Sequence, residues 1–485
     1  MTCTSFSFIQ RAVLALGILL FSFSSCKKKD DPEPDPVPAV ELTKEQKEEL
    51  LKDSVYIYTK TVYLWEDVLP NSFATRGYKT AEDVLDALTA YKKDASGQTV
   101  DRYSFLDRTG AVSEEIQEGL AGDFGFDIRY TAENDLRIKL VQPGSPASAA
   151  GMNRGWRILS INGNSNISQP VLQANNFRVL LEALAGSTIT LNLRKPDNTD
   201  ISIILQRKQY ALDPISFSKV YTTGNGKKVG YFVFNSFIAI ENNKLPTATK
   251  ARIDAVIANF NAAGISEMIV DLRYNGGGSV QTAEYLTDLL VPASANGKLM
   301  YSYNMNKYLA SEKLFKEAFA PVNISKKGTL NLSNVYFITT GGTASASELL
   351  INNLKAYMPV WLIGEQRTYG KPVGFFPIPI FDADLYAVSF ETLNSKGEGR
   401  YYSGITVNRT ERDDLLEPFG STAEDCLAQA LYHAEYGAFS TRTIAGVSSA
   451  DRTAAARTSV LLNTTLDLKG NKDMFKFDVP VKPLP

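Results

Sequence analysis

Two residues in the second half of the chain, Ser345 and Lys371, have side chains that could together cut a peptide bond. A serine hydroxyl becomes a nucleophile when a neutral lysine amine takes up its proton, so this chemistry needs no histidine. The chain contains one histidine, His433, which leaves histidine-based mechanisms almost without candidates. We therefore take Ser345 as the candidate nucleophile and Lys371 as the candidate base.

Ser345 lies in the segment Thr-Ala-Ser-Ala-Ser-Glu (343–348), and Glu348 follows three residues later. This spacing is a capping box and predicts that a helix begins here. By itself the pattern is typical of a purely structural helix cap. The same geometry also suits catalysis, because a helix N-terminus offers unpaired N–H groups and a positive potential. We expect the Ala346 N–H to lie beside the serine, where it could bind an oxyanion.

Three glycines, Gly276–Gly278, follow a predicted buried strand over 267–272. Such glycines usually make a turn, but they also let a ligand approach backbone N–H groups closely. A phosphate-binding loop is not indicated, because the Gly-Lys-Ser/Thr ending of that motif does not follow. We expect the Gly277 N–H to be a second oxyanion donor.

Lys371 could act as a base only where its surroundings favour the neutral amine, since an unperturbed lysine has a pKa of about 10.4. Burial disfavours the charged form, and the neighbouring sequence is apolar. We expect Lys371 to be buried among these neighbours: Tyr369, Pro372, Val373, Phe375 and Phe376.

Cys426 and His433 fall in one predicted helix. We interpret Cys426 as a core residue rather than a nucleophile, because it follows an apolar helical pattern. We interpret His433 as a surface residue or as a charge near the helix C-terminus. The sequence has no cluster of histidines and cysteines, so we expect neither a metal site nor another cofactor.

Length and composition predict a soluble, globular protein of several domains. A chain of 485 residues is too long for one ordinary core, so we expect two to four domains. The hydrophobic fraction is 44%, the charged fraction is 21% and the formal net charge is −2. Because there is no basic surplus, nucleic acid is not an expected partner.

Residues 1–25 are interpreted as a signal peptide, because Arg11 precedes an apolar run that is too short for a comfortable membrane span. The run ends in Ser-Phe-Ser-Ser-Cys (22–26), which resembles a bacterial lipoprotein signal; a plain secretory signal is the alternative. The resemblance implies cleavage before Cys26 and a lipid on its sulfur. Residues 26–42 would then be a charged, proline-rich tether. We expect lipid anchoring to a bacterial membrane of the cell envelope, with the outer membrane favoured, facing the periplasm or the cell surface.

The N-terminal region, residues 43–110, is predicted to be a small helical domain. Its first helix should begin at a capping box formed by Thr43 and Gln46. A second helix should begin after Thr80. Spacings of three and four residues give the first helix one apolar stripe, formed by Leu51, Val55, Tyr58, Val62 and Trp65.

The remaining chain divides into three regions. Residues 112–210 alternate apolar and polar positions between turn signals, which predicts a compact, β-rich module with one helix. Residues 211–437 alternate predicted strands and helices, which indicates an α/β core with crossover connections. Residues 438–485 form a C-terminal extension whose role the sequence does not assign.

In this order the chain resembles the C-terminal processing peptidases, or tail-specific proteases, from about residue 45 to residue 435. The matching motifs are Asp-Leu-Arg (271–273) with its glycines, Ser-Ala-Ser-Glu (345–348), and Gly-Glu (364–365) ahead of Tyr-Gly-Lys (369–371). The resemblance implies a multidomain α/β protein with a crotonase-like peptidase core and an inserted PDZ-like domain. It implies that Ser345 is the nucleophile and Lys371 is its base. It also implies that the N–H groups of Gly277 and Ala346 form the oxyanion hole beside them.

The resemblance also implies that backbone N–H groups of a PDZ-like loop, at Phe124, Gly125 and Phe126, take a peptide C-terminus. Asp123 stands in place of the first glycine of that loop. Phe375 stands where family members often carry a glutamine that assists the lysine. Glu365 and Thr368 are the candidates to orient Lys371 instead.

The function expected from the sequence is a serine endopeptidase that cuts polypeptides of the cell envelope through a Ser–Lys dyad. The PDZ-like domain would recognise substrates or gate the cleft. The alternative is a peptide- or ligand-binding lipoprotein on the same scaffold, with weak or lost catalysis, which Asp123 and Phe375 suggest. A third hypothesis is an envelope scaffold that displays its PDZ-like module.

Overall fold

The structure is a computed structural model that describes residues 42–441 and 474–479. The described residues fall into two units, one with residues 42–46 and the other with residues 47–441 and 474–479. In the first unit the Thr43 N–H donates to Gln46 Oε1 (2.9 Å), and the Gln46 N–H donates to Thr43 Oγ1 (3.2 Å). The predicted capping box is therefore confirmed. The predicted signal peptide and Cys26 lie outside the described residues, as does most of the tether.

Both helices predicted for the N-terminal region are present. The elements here are α1 (Lys44–Val62), α2 (Ala81–Thr89) and β1 (Phe105–Asp107), with short helical turns at Glu66–Val68 and Thr75–Gly77. The prediction that Trp65 continues the stripe of α1 was wrong. The helix ends at Val62 because the chain turns into the core, where the Leu64 N–H donates to the Val388 carbonyl (2.8 Å).

The middle region is mostly β-structure, as its alternating pattern predicts. It begins with a π-helical turn at Ser113–Glu118 and contains β2 (Leu120–Asp123), β3 (Phe126–Ala132), β4 (Asp135–Val141), α3 (Pro146–Ala149), β5 (Arg157–Ile161), α4 (Gln169–Gln173), α5 (Arg178–Ala185), β6 (Thr188–Arg194), β7 (Asp200–Gln206) and β8 (Lys208–Ala211). Strands β3 to β7 form an antiparallel sheet in sequence order, and β2 pairs with β8. Side chains of this sheet and of α5 form a separate hydrophobic cluster, which includes Ile138, Leu180, Leu191 and Leu193.

The following region alternates strands and helices, as predicted. Its elements in chain order are β9 (Ile215–Thr222), β10 (Lys228–Phe234), β11 (Glu241–Asn242), β12 (Leu245–Pro246), α6 (Ala248–Ala263), β13 (Glu267–Asp271), β14 (Gly278–Ser279), α7 (Val280–Leu290), a helical turn at Ala293–Ala295, β15 (Leu299–Met305), α8 (Lys307–Ser311), α9 (Lys313–Ala318), β16 (Val322–Asn323), β17 (Asn334–Thr339), α10 (Ala346–Lys355), β18 (Val360–Gly364), β19 (Val373–Gly374), β20 (Ile378–Ile380), β21 (Ala383–Tyr386), β22 (Phe390–Asn394), β23 (Arg409–Thr410), α11 (Asp425–Tyr436) and β24 (Met474–Phe475).

A six-stranded sheet with the order β23-β18-β17-β13-β10-β9 forms the centre of this region. Its pairs are parallel except that of β10 with the edge strand β9. Successive side chains of β13 point to opposite faces: Met268 and Val270 join the cluster that contains α6, α7 and α10, whereas Ile269 joins the cluster beneath α11. Helices therefore cover both faces of the sheet, which explains why its central strands are continuous apolar runs. The chain is a mixed α/β protein, as predicted.

The last described segment, residues 474–479, returns to the core. In β24, Met474 and Phe475 pair in parallel with Gly278 and Ser279. On its other side, the Phe375 N–H donates to the Met474 carbonyl (2.9 Å) and the Lys476 N–H donates to the Phe375 carbonyl (2.9 Å). This strand thus joins the glycine loop to the segment that follows Lys371.

Among the described residues, no helix is both long enough and apolar enough to cross a membrane.

Candidate active site

Three strands of the central sheet deliver the candidate residues to one edge. Strand β13 ends at Asp271, ahead of the glycines; β17 ends at Thr339, ahead of Ser345; and β18 ends at Gly364, ahead of Lys371. These strands are parallel neighbours: Asp271 is level with Ile338, and Thr339 is level with Gly364. The carboxyl ends of parallel strands meet at one edge of a sheet, which is where α/β proteins commonly bind ligands.

Ser345 occupies a sharp turn directly before α10. Its backbone has φ +64° and ψ −113°, a conformation that costs a non-glycine residue about 1–3 kcal/mol. The turn is held in place because the Thr343 hydroxyl donates to the Leu272 carbonyl (2.7 Å), and the Ala344 N–H donates to the Asn275 carbonyl (3.2 Å). The Ser345 hydroxyl is buried and makes no hydrogen bond within the described residues.

Helix α10 begins at Ala346, as the capping box predicts. The Ser345 N–H donates to Glu348 Oε2 (2.9 Å), so the carboxylate half of the box caps the helix. The Ala346 N–H occupies the first helical position, where a backbone donor has no partner within the helix. The serine hydroxyl and this N–H are therefore neighbours at the positive end of α10.

The glycine loop adopts a backbone that requires glycine. Gly277 has φ +115° and Gly278 has φ +134°. A Cβ on Gly278 would lie 2.4 Å from the Phe237 carbonyl oxygen, so the loop packs tightly against this neighbour. The Gly277 N–H donates to the Oδ1 of Asn275 (2.9 Å). A substrate oxyanion would therefore compete with this amide oxygen for the predicted second donor.

Asn275 ties the glycine loop to the serine turn. Its side-chain Nδ2 donates to the Phe234 carbonyl (2.9 Å), and its own carbonyl accepts the Ser347 hydroxyl (3.1 Å) as well as the Ala344 N–H. The loop and the N-terminus of α10 are thus held as one piece.

Lys371 is buried, as predicted, with 1% of its side chain exposed. Its Nζ lies 3.9 Å from the ring centroid of Phe375 and 5.9 Å from that of Tyr103. Burial disfavours the charged ammonium, whereas an aromatic face attracts it, so the two effects oppose each other. Phe375 belongs to an aromatic group that also contains the buried Tyr386 and Phe475 and the partly buried Phe105.

Glu348 joins the serine turn to the lysine segment, a role that the sequence did not reveal. Its Oε2 accepts the N–H of Lys371 (2.8 Å) in addition to that of Ser345, and its Oε1 accepts the Gly370 N–H (2.8 Å) and the Thr368 hydroxyl. The carboxyl group is completely buried, and burial raises its pKa while the four donors act in the opposite direction. Glu348 Oε2 thus holds the backbones of Ser345 and Lys371, which are 26 positions apart in the sequence.

The two candidate orienting residues lie in different surroundings. Thr368 is buried; its hydroxyl donates to Glu348 and accepts the Ile405 N–H (2.7 Å), so it supports the lysine segment through Glu348. The Glu365 carboxylate accepts the Gly341 N–H (3.2 Å) and pairs with Arg129 of the middle region. Glu365 therefore lies at the boundary between the two regions.

Asp413 is the centre of a buried ionic cluster at that boundary. Its carboxylate pairs with Arg129 (2.8 Å) and Arg154 (2.7 Å) of the middle region and with Arg273 (2.9 Å) of the core. Burial alone would raise the pKa of Asp413, but these guanidinium groups hold it well below its usual range. Arg273 directly precedes Tyr274 and the glycine loop, so the cluster connects the middle region to the candidate site.

The loop predicted to bind a peptide C-terminus is engaged by its own carboxylate. Asp123 Oδ1 accepts the Gly125 N–H (2.8 Å) and the Tyr210 hydroxyl (2.8 Å). A Cβ on Gly125 would lie 1.9 Å from the Cβ of Ser145, so this loop also requires glycine. Phe124 is buried and Phe126 begins β3, with the two rings 6.4 Å apart.

The two remaining candidates lie in the core. Cys426 is a free, buried thiol whose Sγ donates to the Arg412 carbonyl (3.3 Å), and burial raises its pKa; the prediction of a core role is confirmed. Of the two roles predicted for His433, the surface role was wrong, whereas its position near the C-terminus of a helix was confirmed, in the last turn of α11. His433 is buried against Trp361, its Nδ1 lies 3.0 Å from the Tyr336 hydroxyl, and burial lowers its pKa.

Comparison with known proteins finds a family model that matches part of the core. The profile of Peptidase family S41 matches residues 228–406, a stretch that contains the serine turn, the glycine loop and the lysine segment. We refer to this matched stretch as the S41 domain. The middle region and Asp413 of the ionic cluster lie outside the matched residues.

Two relatives that match part of this chain are described as proteases. The chain is 28% identical over 249 residues to a protein named carboxyl-terminal-processing protease from Picosynechococcus sp., which covers 51% of this chain and 53% of that protein. It is 25% identical over 269 residues to a protein described as a CtpA-like serine protease from Staphylococcus aureus strain N315, which covers 55% and 48%. The chain therefore spans about half the length of these relatives.

The S41 domain also has a structural counterpart. A crystal structure of a protein assigned to the S41 proteases, from Bacteroides fragilis NCTC 9343, superimposes with a TM-score of 0.60 and 26% identity. The superposition covers 83% of this chain and 99% of that one. The likeness thus extends beyond the S41 domain itself to most of the chain.

Proposed function

We propose that this protein is a serine endopeptidase that hydrolyses polypeptides with Ser345 as nucleophile and Lys371 as base. The observation that carries the proposal is the single oxygen of Glu348 that accepts the backbone N–H groups of both residues. The strained backbone of Ser345, its position at a helix N-terminus and the burial of Lys371 support it. The match of Peptidase family S41 to residues 228–406, a stretch that contains all three residues, supports it as well.

The proposed mechanism uses the chain's own groups. Ser345 Oγ attacks the scissile carbonyl while Lys371 Nζ takes its proton, and the N–H groups of Ala346 and Gly277 stabilise the oxyanion. The same lysine then protonates the leaving amine, and water hydrolyses the acyl-enzyme. The Gly277 N–H donates to Asn275 Oδ1 and must give up this hydrogen bond before it can donate to the oxyanion. We therefore propose that substrate binding breaks the bond between Gly277 and the Asn275 side chain.

The test is labelling with a fluorophosphonate probe combined with peptide turnover. Ser345→Ala and Lys371→Met should each abolish both signals in a folded protein, whereas the matched controls Ser389→Ala (a buried, hydrogen-bonded serine) and Lys396→Met (an exposed lysine) should keep them. Turnover by Ser345→Ala at the wild-type rate would contradict the proposal. Absence of labelling in folded wild-type protein would favour the alternative of a peptide-binding lipoprotein.

We further propose that the middle region, residues 112–210, recognises substrate peptides as a PDZ-like domain. Its antiparallel sheet beside the helix α5, and its short loop ahead of β3, support this role. It is joined to the S41 domain through the ionic cluster around Asp413, which offers a connection between recognition and catalysis.

The proposed location is the cell envelope, with a lipid on Cys26. The apolar run that ends in Ser-Phe-Ser-Ser-Cys supports this proposal. Metabolic labelling with an alkyne fatty acid in a bacterial host should mark the wild type and not Cys26→Ser, with Cys426→Ser as the control. Lipid labelling that persists in Cys26→Ser would contradict it.

A further inference from the structure

A large cavity lies between the N-terminal helical region and the S41 domain. It has a volume of about 890 Å³. Its lining includes the aromatic residues Trp65, Tyr369 and Tyr402, together with residues 98–100 and 102–103. Tyr369 precedes Lys371 by two residues, so the backbone positions of this lining residue and the candidate base are at most about 7 Å apart. The cavity is large enough for side chains of a bound peptide.

The cavity is strongly basic, although the whole chain is slightly acidic. Five basic and two acidic side chains line it. One acidic group, Glu391, is already engaged, because Arg400 pairs with it (2.9 Å) and the Tyr402 hydroxyl donates to it (3.2 Å). The other, Asp94, accepts hydrogen bonds from its own loop, at Ser96 and Gln98.

Four cations of the cavity have no carboxylate partner among the described residues: Lys92, Lys93, Arg102 and Arg367. Each of these cations instead contacts an aromatic ring or donates a hydrogen bond to a neutral oxygen. Lys92 lies over the ring of Trp65 (5.4 Å), and Lys93 donates to the Thr99 hydroxyl (2.8 Å). Arg102 stacks on Tyr369 (4.4 Å) and donates to its carbonyl (3.1 Å), and Arg367 donates to the Ser403 carbonyl (3.0 Å). A concave surface lined by unpaired cations attracts anionic groups.

We propose that this cavity, the basic pocket, is a substrate subsite that binds a glutamate or aspartate side chain within a few residues of the bond that is cut. The proposal rests on the proposed peptidase function, since the pocket shares its wall with the lysine segment. A peptide in extended form advances about 3.3 Å per residue, so a side chain near the cut bond can reach this wall. The aromatic rings of the pocket would pack against the methylene groups of the acidic side chain.

The test is a peptide library with acetylated N-termini and amidated C-termini, in which each position around the cut holds either Glu or Gln. Blocked termini ensure that only side chains supply carboxylates. At one position the wild type should cut Glu peptides about tenfold faster than Gln peptides, and the ratio should fall as salt is raised from 0.05 M to 0.5 M. Mass spectrometry of the products gives the rates and the position.

The variant Lys92→Gln/Lys93→Gln/Arg367→Gln should cut Gln peptides at the wild-type rate and lose the preference for Glu. The control Lys313→Gln/Lys316→Gln/Lys396→Gln removes the same charge from exposed positions elsewhere and should keep the preference for Glu. A Glu preference that survives in the pocket variant, or no preference in an active wild type, overturns the subsite. Failure of the wild type to cut any peptide would instead contradict the proposed peptidase function.

Discussion

The Oε2 oxygen of Glu348 sets the spacing between the proposed nucleophile and base, because the N–H groups of Ser345 and Lys371 both donate to it. A carboxylate suits this position, since each oxygen accepts two donors and needs no hydrogen of its own. Glu348 is therefore a positioning residue, because it holds the two backbone segments of the proposed site together.

We expect Glu348→Gln to lower kcat about 100-fold with little change in KM, because the amide NH₂ would face N–H donors and displace one of the two segments. Steady-state kinetics and the rate of fluorophosphonate labelling measure this. Asp83→Asn is the matched control: it removes a capping carboxylate from α2, which should cost about 1 kcal/mol of stability and leave kcat unchanged. Wild-type kcat in Glu348→Gln would show that Glu348 is only a helix cap.

At this scale the sequence predicted part of the site. The helix start at Ala346 and the burial of Lys371 follow from local patterns, a capping box and a run of apolar neighbours. The further role of Glu348 could not be predicted, because three of its four hydrogen-bond donors belong to residues 368–371. These residues follow Glu348 by 20 to 23 positions, beyond strand β18. The burial of His433 was missed because its partners Tyr336 and Trp361 belong to distant strands.

Among the elements, the loop at 123–126 has the clearest functional consequence. Its Gly125 N–H is engaged by Asp123, so a peptide C-terminus would meet both an occupied donor and a negative charge. We expect Asp123→Gly to bind a peptide with a free C-terminus at least about tenfold more tightly than the wild type, since it releases donors for a charge-assisted bond. Fluorescence anisotropy measures this, with the amidated peptide as the control. Equal affinity in both proteins would argue against a PDZ-like role.

Strand β24 is the element whose loss should affect the site most directly. Phe475 is completely buried and packs on Phe375, which in turn contacts Lys371. We expect Phe475→Ala to lower the free energy of unfolding by about 3–5 kcal/mol and to slow peptide turnover, because water would gain access to the lysine. Urea unfolding and kinetics test this. Phe477→Ala, at a half-buried position two residues on, should have a smaller effect on both; equal effects would contradict it.

The elements differ in how well the sequence predicts them. Strands β13, β17 and β18 are apolar runs that are buried on both faces, and α6, α7 and α10 have helical periodicity, so all were recognisable. The two-residue strands β14 and β24 were not, because pairing between residues nearly 200 positions apart defines them. The end of α1 was misplaced for the same reason, since a distant carbonyl draws Leu64 out of the helix.

At the scale of the whole molecule, Asp413 joins the middle region to the core. Replacing it with asparagine leaves Arg129, Arg154 and Arg273 buried without their shared anion, so Asp413→Asn should cost about 3–5 kcal/mol. Asp254→Asn, which breaks a surface pair with Lys250, should cost about 1 kcal/mol or less.

The same carboxylate should make stability sensitive to acid. Because the folded pKa of Asp413 is depressed, its contribution is present above the unfolded pKa of about 3.9 and is lost as the pH falls towards the folded value. The difference in unfolding free energy between wild type and Asp413→Asn should therefore be constant from pH 7 to about pH 5 and shrink below about pH 4. A difference that stays constant down to pH 3 would contradict this assignment.

The position of β24 has a consequence for biosynthesis. A nascent chain released up to residue 441 already carries the serine turn, the glycine loop and Lys371, yet the gap between Gly278 and Phe375 stays open until residues 474–479 emerge from the ribosome. We expect hydrolytic power to appear only after this strand has docked, so that a nascent chain that still lacks it cannot hydrolyse the proteins around it.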